Sequence, residues 1–476
     1  MSQEPPSLEF RLPWALKFDG DPLEGYDMLS PSDAQDIVVG RTRDDMVGYA
    51  TLLGKVAEAG HFDKKLWLDL RGAHAVYVVG KRRAGKTHSL AVICEGLASD
   101  GWITQMEQRQ GVLVFDTMNV FLTATEQGFI GGSKEDEQEW DLPADAPSFH
   151  LYRPAGTPAI AGREIPTVSL GGHDLTAEEW IHTFGVDQFA DVLGHLLFDA
   201  YEHVRYSGYT TDAVKVPAKD RFSLADLEKC VSEAHELANF RDDTRQAAIR
   251  RFRALSHNSI FDASGLDLRR LLVPGRVSVL LLHDLPTETR ELFVSVLVRR
   301  IIEARSETEH YERLLAATKN EPETLVEAWR ERAAHGIARC WIVIDEAHNY
   351  IPNSVAAISK RPLKRLIDEG RNLGISIVAA TQQPSGLDSS IRRNADVLII
   401  HSVSMEEDIR VLAGMLNNPW PKNGFVMKAG SLRSSDFFGT VRALPRGYAL
   451  VSSDTLPRVT AVRVRPRLTE SGDKGY

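Results

Sequence analysis

Gly80-Lys81-Arg82-Arg83-Ala84-Gly85-Lys86-Thr87 is a complete GxxxxGK[ST] phosphate-binding loop. An apolar run over 75–79 leads into it, and a helix-like stretch beginning near His88 leads out. Glycines at the two fixed positions let the backbone curl until successive N–H groups converge on an anion. Gly80, Ala84, Gly85, Lys86, Thr87 and His88 are therefore the expected nucleotide-binding set. Lys86 is placed to reach the β and γ phosphates, and the Thr87 hydroxyl to hold Mg2+. ATP and Mg2+ are the ligands such a loop predicts.

A phosphate-binding loop needs a second strand that ends in a carboxylate. Cys340-Trp341-Ile342-Val343-Ile344 followed by Asp345-Glu346 supplies one. Asp345 is expected to face Mg2+ through water. Glu346, one residue on, is placed to polarise an attacking water, which predicts an ATP hydrolase rather than a kinase. The string Asp345-Glu346-Ala347-His348 invites comparison with two-domain DEAH-box helicases. Only about 130 residues follow it, about 260 separate it from Lys86, and no QRxGRxGR arginine motif is present, so that comparison fails. Further on, the apolar run over 375–380 leads to Thr381-Gln382. An amide at a strand tip beside the γ-phosphate can sense ATP against ADP by hydrogen bonding, and Gln382 is the candidate.

Working outward, a short strand over 66–70 leads into the core, and other apolar runs stand at 112–115, 277–282 and 397–400. Unbroken rather than alternating apolar character predicts parallel strands covered on both faces, an α/β core around the phosphate-binding loop. Between 112–115 and 277–282 the character changes. An acidic, Gly-rich stretch over 131–146 gives way to helical patterns over 177–206 and 223–257, which predict an inserted, mostly helical subdomain. Helical patterns also cover 287–305 and 321–334, and short strand runs 447–452 and 459–464. Near the start, a strand is expected at 37–40 and a helix over 44–58. The expected division is 1–65 as a reduced N-terminal region, a barrel-like remnant or docking segment, and 66–130 as the first part of the core. The insertion takes 131–270, the second part of the core 271–455, and a strand and tail 456–476.

The 476 residues are 43% hydrophobic and 26% charged, as in an ordinary globular protein with a large core. No apolar run has the length of a membrane span and no secretory leader is evident, which predicts a cytoplasmic protein with no membrane partner. Cys94, Cys230 and Cys340 lack metal-type spacing and read as reduced thiols. The formal net charge of −10 excludes a protein coated in basic surface, so any nucleic-acid contact must be local. Basic residues gather at Lys360, Arg361, Lys364, Arg365 and Arg371, at Arg392 and Arg393, and over 422–446.

Taken together, these motifs resemble the HerA branch of the HerA/FtsK superfamily of ring-forming, DNA-pumping ATPases. The likeness runs through 68–87, Val114-Phe115-Asp116, 271–279 with Arg299-Arg300, and Asp345-Glu346-Ala347-His348. It continues over 370–388, with Gly370-Arg371 at its start and Gln382 inside it, and closes at 391–396. The resemblance implies a RecA-like P-loop NTPase core assembled as a homo-hexamer, with ATP at subunit interfaces, double-stranded DNA in the channel, and a separately encoded nuclease or other effector as a possible partner. It predicts an ATP-driven DNA translocase or helicase in DNA processing or antiviral defence. The alternative is an ATP-binding scaffold that assembles and regulates an effector nuclease without moving far along DNA. Charge building on the γ-phosphate calls for a cation from across an interface. Arg371 matches the family's Gly-Arg and is the first candidate, with Arg71 the second and His74 able to occupy the latter's position. Lys360, Arg361, Lys364 and Arg365 are the candidates for inward contacts to DNA phosphates.

Overall fold

A computed structural model describes residues 36–40, 50–57, 64–98, 109–124, Trp140, Pro147 and, apart from short gaps, 149–470. The strands of the first half are β1 (Ile37–Val39), β2 (Ala50–Val56), β3 (Lys65–Asp69), β4 (Ala75–Val79), β5 (Gly111–Asp116), β6 (Phe149–Pro154), β7 (Thr167–Val168), β8 (Tyr209–Thr210) and β9 (Lys215–Val216). Those of the second half are β10 (Val277–Leu281), β11 (Cys340–Ile344), β12 (Ile375–Thr381), β13 (Val397–Ile400), β14 (Phe425–Val426), β15 (Arg433–Ser434), β16 (Tyr448–Ser453) and β17 (Thr460–Val464). Thirteen of them form one sheet in the order β1-β3-β2-β17-β16-β13-β4-β12-β11-β5-β10-β6-β7. From β13 to β7 every pairing is parallel. Beyond β13 the sheet continues antiparallel through β16, β17, β2 and β3.

Alternate residues of each central strand enter opposite cores, which is why these runs are apolar throughout. Tyr77, Leu113, Phe115, Ile342, Ile344 and Ile377 face the long helix Thr287–Ala317, the helix Lys360–Leu373 and the helices of 177–256. Val76, Val78, Val112, Val114, Trp341 and Val343 face the other way, onto Leu90, Val92, Ile93 and Leu97 of the helix Lys86–Ala98. Helices on both faces of a mostly parallel sheet, with the phosphate-binding loop joining β4 to its helix, make this a RecA-like P-loop NTPase fold.

Within 131–270, β6 and β7 join the sheet edge, while the helices Val192–Glu202, Leu224–Glu233 and Asp242–Ser256 pack on Trp180, Phe184 and Phe261. The helix expected over 287–305 runs on to Ala317 because Arg305 gives it a reason to. This fully buried guanidinium donates to the Leu373 and Ile337 carbonyls at 2.8 Å each, and pairs with Glu309 and Glu312 one and two turns ahead at 3.0 and 3.1 Å.

One expectation is overturned. The stretch read as a helix over 44–58 contains strand β2, paired antiparallel with both β3 and β17. Its apolar periodicity was ambiguous over so short a run, and Gly54 resolves it: a Cβ there would stand 2.2 Å from the Arg463 carbonyl oxygen, so only glycine lets β17 approach. All of the acidic stretch over 131–146 except Trp140 lies outside the described residues, as do Lys422 and Lys428 of the last basic cluster.

The C-terminal edge is bolted to the nucleotide helix by charge. Glu95, fully buried, accepts from Arg465 Nη1 at 2.8 Å, from the Leu468 and Thr469 amides at 3.0 and 2.9 Å, and from Thr469 Oγ1 at 2.7 Å. Burial pushes its pKa up, but the Arg465 and Arg467 charges and the Thr469 hydrogen bonds outweigh that and hold it down. Glu95→Ala would strand two buried guanidinium groups, so it is expected to lower unfolding free energy by about 3–5 kcal/mol in denaturant titration. A loss indistinguishable from that of an exposed glutamate would contradict this account.

Candidate active site

The sharp turn of the phosphate loop is set by Gly85, at φ +124, and Arg83, at φ +64. Three of the loop's amides close on the protein itself, Gly80 N–H on the Thr381 carbonyl at 3.3 Å, Lys81 N–H on that of Ser402 at 2.8 Å and Ala84 N–H on that of Lys81 at 3.1 Å. Gly80 and Ala84 therefore shape the loop, while the helix start at Lys86 and Thr87 offers the amides that lack intrahelical partners. The His88 imidazole is committed elsewhere, 2.7 Å from the Arg465 carbonyl, so its side chain does not face the nucleotide position. Lys81, Arg82 and Arg83 are exposed.

Sequence reasoning did not identify the floor beneath this loop. His401, fully buried at the end of β13, accepts the Ser89 hydroxyl proton at Nε2 (2.9 Å) and donates from Nδ1 to the Tyr448 carbonyl (2.9 Å). Its Cβ lies 2.7 Å from where a Cβ on Gly80 would stand, and its ring 3.0 Å from one on Gly85. Lys81 N–H donates to the Ser402 carbonyl at 2.8 Å. Burial drives the His401 pKa down to about 4, keeping the ring neutral under a site built for anions. The available signal was its position, directly after the apolar run over 397–400.

Three elements bring their functional side chains together at the carboxyl ends of β4, β11 and β12. Lys86 Nζ lies 3.5 Å from Glu346 Oε1, and the same oxygen accepts from Gln382 Nε2. Glu346 has left-handed backbone geometry, φ +51, an uncommon conformation for a side-chain-bearing residue that turns its carboxylate beside that of Asp345. Its other oxygen, Oε2, is buried without a hydrogen-bond partner, 3.5 Å from His348 Nδ1. His348 Nδ1 in turn lies 2.9 Å from Thr381 Oγ1. Burial raises the Asp345 carboxyl to about 7, the charges of Glu346 and Asp116 push the same way, and Lys86 opposes them. Asp116, buried at the tip of β5, spends its carboxylate on the amides of Met118, Val120 and Phe121.

Among the described residues no cluster of acidic, histidine or cysteine side chains forms a metal cage by itself. Mg2+ in phosphate-loop sites takes one or two protein oxygens plus phosphates and water, and Thr87 with Asp345 fits that need. Carboxylates this crowded and buried favour a divalent cation beside them.

Arg371 does not join this group. It lies in the last turn of the helix Lys360–Leu373, before β12 begins, whereas Gln382 follows its end. A seven-residue strand spans about 23 Å, so Arg371 stands at the opposite end of the central strands from its own Lys86. Arg71 and His74, which precede β4, are at that same far end. Of the basic residues on this helix, Lys360 pairs with Asp388 at 3.0 Å, Arg361 with Glu178 at 2.8 Å and Arg365 with Glu369 at 2.8 Å. Lys364 is exposed.

Comparison with known proteins adds the following. Residues 76–301 match the family described as Helicase HerA, central domain, and residues 283–412 the one described as Zonular occludens toxin (Zot). The DNA double-strand break repair helicase HerA of Pyrococcus furiosus is 22% identical over 310 residues, which are 61% of this chain and 53% of that protein. The protein of the same description from Saccharolobus solfataricus is 25% identical over 136 residues, 28% of this chain and 23% of that protein. The chain thus spans about half the length of the first relative and less of the second. VirB4 of Thermoanaerobacter pseudethanolicus superposes with a TM-score of 0.49 at 13% identity, over 88% of this chain and 97% of that one. The bacterial conjugative coupling protein TrwB gives 0.45 at 12%, over 90% and 96%.

Proposed function

We propose, on the premise that this chain is a HerA-like ATPase, that it hydrolyses ATP as a homo-hexamer and uses the energy to move on or unwind double-stranded DNA. The observation that carries this reading is the placement of Arg371 at the end of the central strands away from Lys86, Glu346 and Gln382. So placed, Arg371 is out of reach of its own subunit's γ-phosphate, and in this reading it serves another copy's, which ties hydrolysis to assembly. Arg71 is the second candidate for that role.

In this reading Lys86 exchanges Glu346 for the β and γ phosphates, and the freed carboxylate orients a water and takes its proton. Gln382, already on the same oxygen, reports whether the γ-phosphate is present. Thr87 and, through water, Asp345 would hold Mg2+, which would supply charge neutralisation at the phosphates. Gly80, Ala84, Gly85 and His88 complete the loop. Residues 66–130 and 271–455 serve in this reading as the two parts of the core, 131–270 as an insertion, 1–65 as a barrel-like remnant or docking segment, and 456–476 as a strand and tail. DNA processing or antiviral defence in the cytoplasm is the setting this proposes. Among the described residues no helix is long and apolar enough to cross a membrane.

One observation favours the scaffold alternative. Three of the four basic residues proposed to track DNA, Lys360, Arg361 and Arg365, are already paired with acids, and the chain carries a net −10 charge. The experiment that separates the two is the ATPase rate of a size-characterised sample with and without duplex DNA. The motor reading expects stimulation by DNA that weakens as salt rises. No response to DNA, with stimulation by an added effector, establishes the scaffold instead.

A further inference from the structure

At the end of the central strands away from the nucleotide, a polar cleft of about 310 Å³ is lined by His74, Asp368, Arg371, Arg393, Asp396 and Asp454, among others. Its centre is one carboxylate. Asp396 Oδ1 accepts from the Ala75 amide at 2.8 Å, while Oδ2 accepts both from His74 Nδ1 at 2.8 Å and from Arg371 Nη2 at 3.2 Å. The two cations on that oxygen differ completely in freedom. The His74 side chain is 2% exposed and that of Arg371 64%, against 13% for Asp396 itself. His74 is also caged: a Cβ on Gly40 would stand 2.9 Å from its Cε1, one on Gly72 3.3 Å from its Nε2, and the Trp341 ring lies 6.2 Å away.

We propose that Asp396 is a latch for Arg371, holding it in the separate subunit and releasing it to the adjoining subunit's nucleotide, while His74 keeps the same carboxylate oxygen paired. This rests on the reading of Arg371 as the cation that acts across the interface. The physical need is plain. A half-buried carboxylate that lost its only cation would resist the loss, so a finger held that way would stay bound. Here the shorter and more deeply buried bond is the one from His74, and the Ala75 amide remains as well, so Arg371 can leave without stranding Asp396. Burial alone would lower the His74 pKa, but the hydrogen bond and charge of Asp396, with the Asp69 carboxylate 3.7 Å away, raise it to about 9. It is therefore the imidazolium at neutral pH. Asp368, Arg393 and Asp454 are the other charged groups lining the cleft. His74 and Asp396 are positioning residues in this scheme, acting only through Arg371.

The test compares steady-state ATP hydrolysis by the full chain as wild type, His74→Gln, Asp396→Asn, the double variant and Arg371→Ala. His74→Gln leaves Asp396 dependent on Arg371 and is expected to lower kcat by about tenfold with KM for ATP unchanged. Asp396→Asn frees the arginine, so it retains the wild-type rate and restores it when added to His74→Gln. The wild-type rate falls as pH rises through about 9, where His74 loses its proton, and that limb is missing from Asp396→Asn. If Arg371→Ala is inactive while His74→Gln matches wild type, the latch is overturned and the role of Arg371 stands. If the double variant is no better than His74→Gln, the cluster is merely structural and the latch is again overturned. A fully active Arg371→Ala overturns the reading beneath it.

Discussion

Replacing Glu346 by Gln is expected to leave ATP binding intact and to lower the hydrolysis rate by about 10²- to 10⁴-fold, the range for loss of a general base. The substitution keeps size and hydrogen-bonding capacity but removes the ability to take a proton. The geometry singles out this residue over its neighbour. Glu346 Oε1 is engaged by Lys86 and Gln382, whereas Oε2 is buried without a hydrogen-bond partner and is the oxygen left for a water. Asp345 lies against the same site but is raised to about 7 by burial, by Glu346 and by Asp116, a setting that suits a group placed next to a cation. Phosphate release measured alongside titration with a fluorescent ATP analogue separates the two effects. A variant that turns over like wild type, or one that no longer binds the analogue, would assign Glu346 a different part.

Arg371→Ala is expected to cost about 10³- to 10⁵-fold in turnover, the range for an arginine that neutralises a transferring phosphoryl group. The size of this effect is a sharp discriminator. Within its own subunit Arg371 makes one exposed ion pair, with Asp396 at 3.2 Å, and such pairs contribute about 0–1 kcal/mol to stability. A purely structural residue in that place would leave the rate nearly unchanged. The variant should melt like wild type and bind ATP normally as a separate subunit. A large drop in melting temperature would instead locate the effect in folding.

Much of the core was legible because its strands are buried on both faces. Runs such as 112–115 and 341–344 are apolar at every position and 375–380 at all but Ser376, and each is a strand in the parallel block. β2 was not legible, since seven residues around a glycine fit either period and only the approach of β17 decides between them. The convergence of Lys86, Glu346 and Gln382 followed from the rule that ligand-facing groups sit at strand carboxyl ends. His401 escaped notice because its work is done from beneath the phosphate loop, through contacts with Gly80, Gly85, Ser89 and Tyr448 that lie far apart in the chain. The pairing of His74 and Arg371 on Asp396 escaped for a similar reason: three elements meet at one oxygen, and no spacing in the sequence encodes it.

The most direct measurement of a site shared between subunits is complementation of two inactive variants. Glu346→Gln and Arg371→Ala are mixed in equal amounts under assembling conditions, and ATP hydrolysis is compared with that of each alone. About one interface in four then joins an intact Glu346 on one subunit to an intact Arg371 on the next, by random pairing across a heterologous contact. The account predicts recovery of hydrolysis in the mixture to about that fraction of wild type. A mixture as inactive as its components, in rings shown to contain both variants, would contradict it.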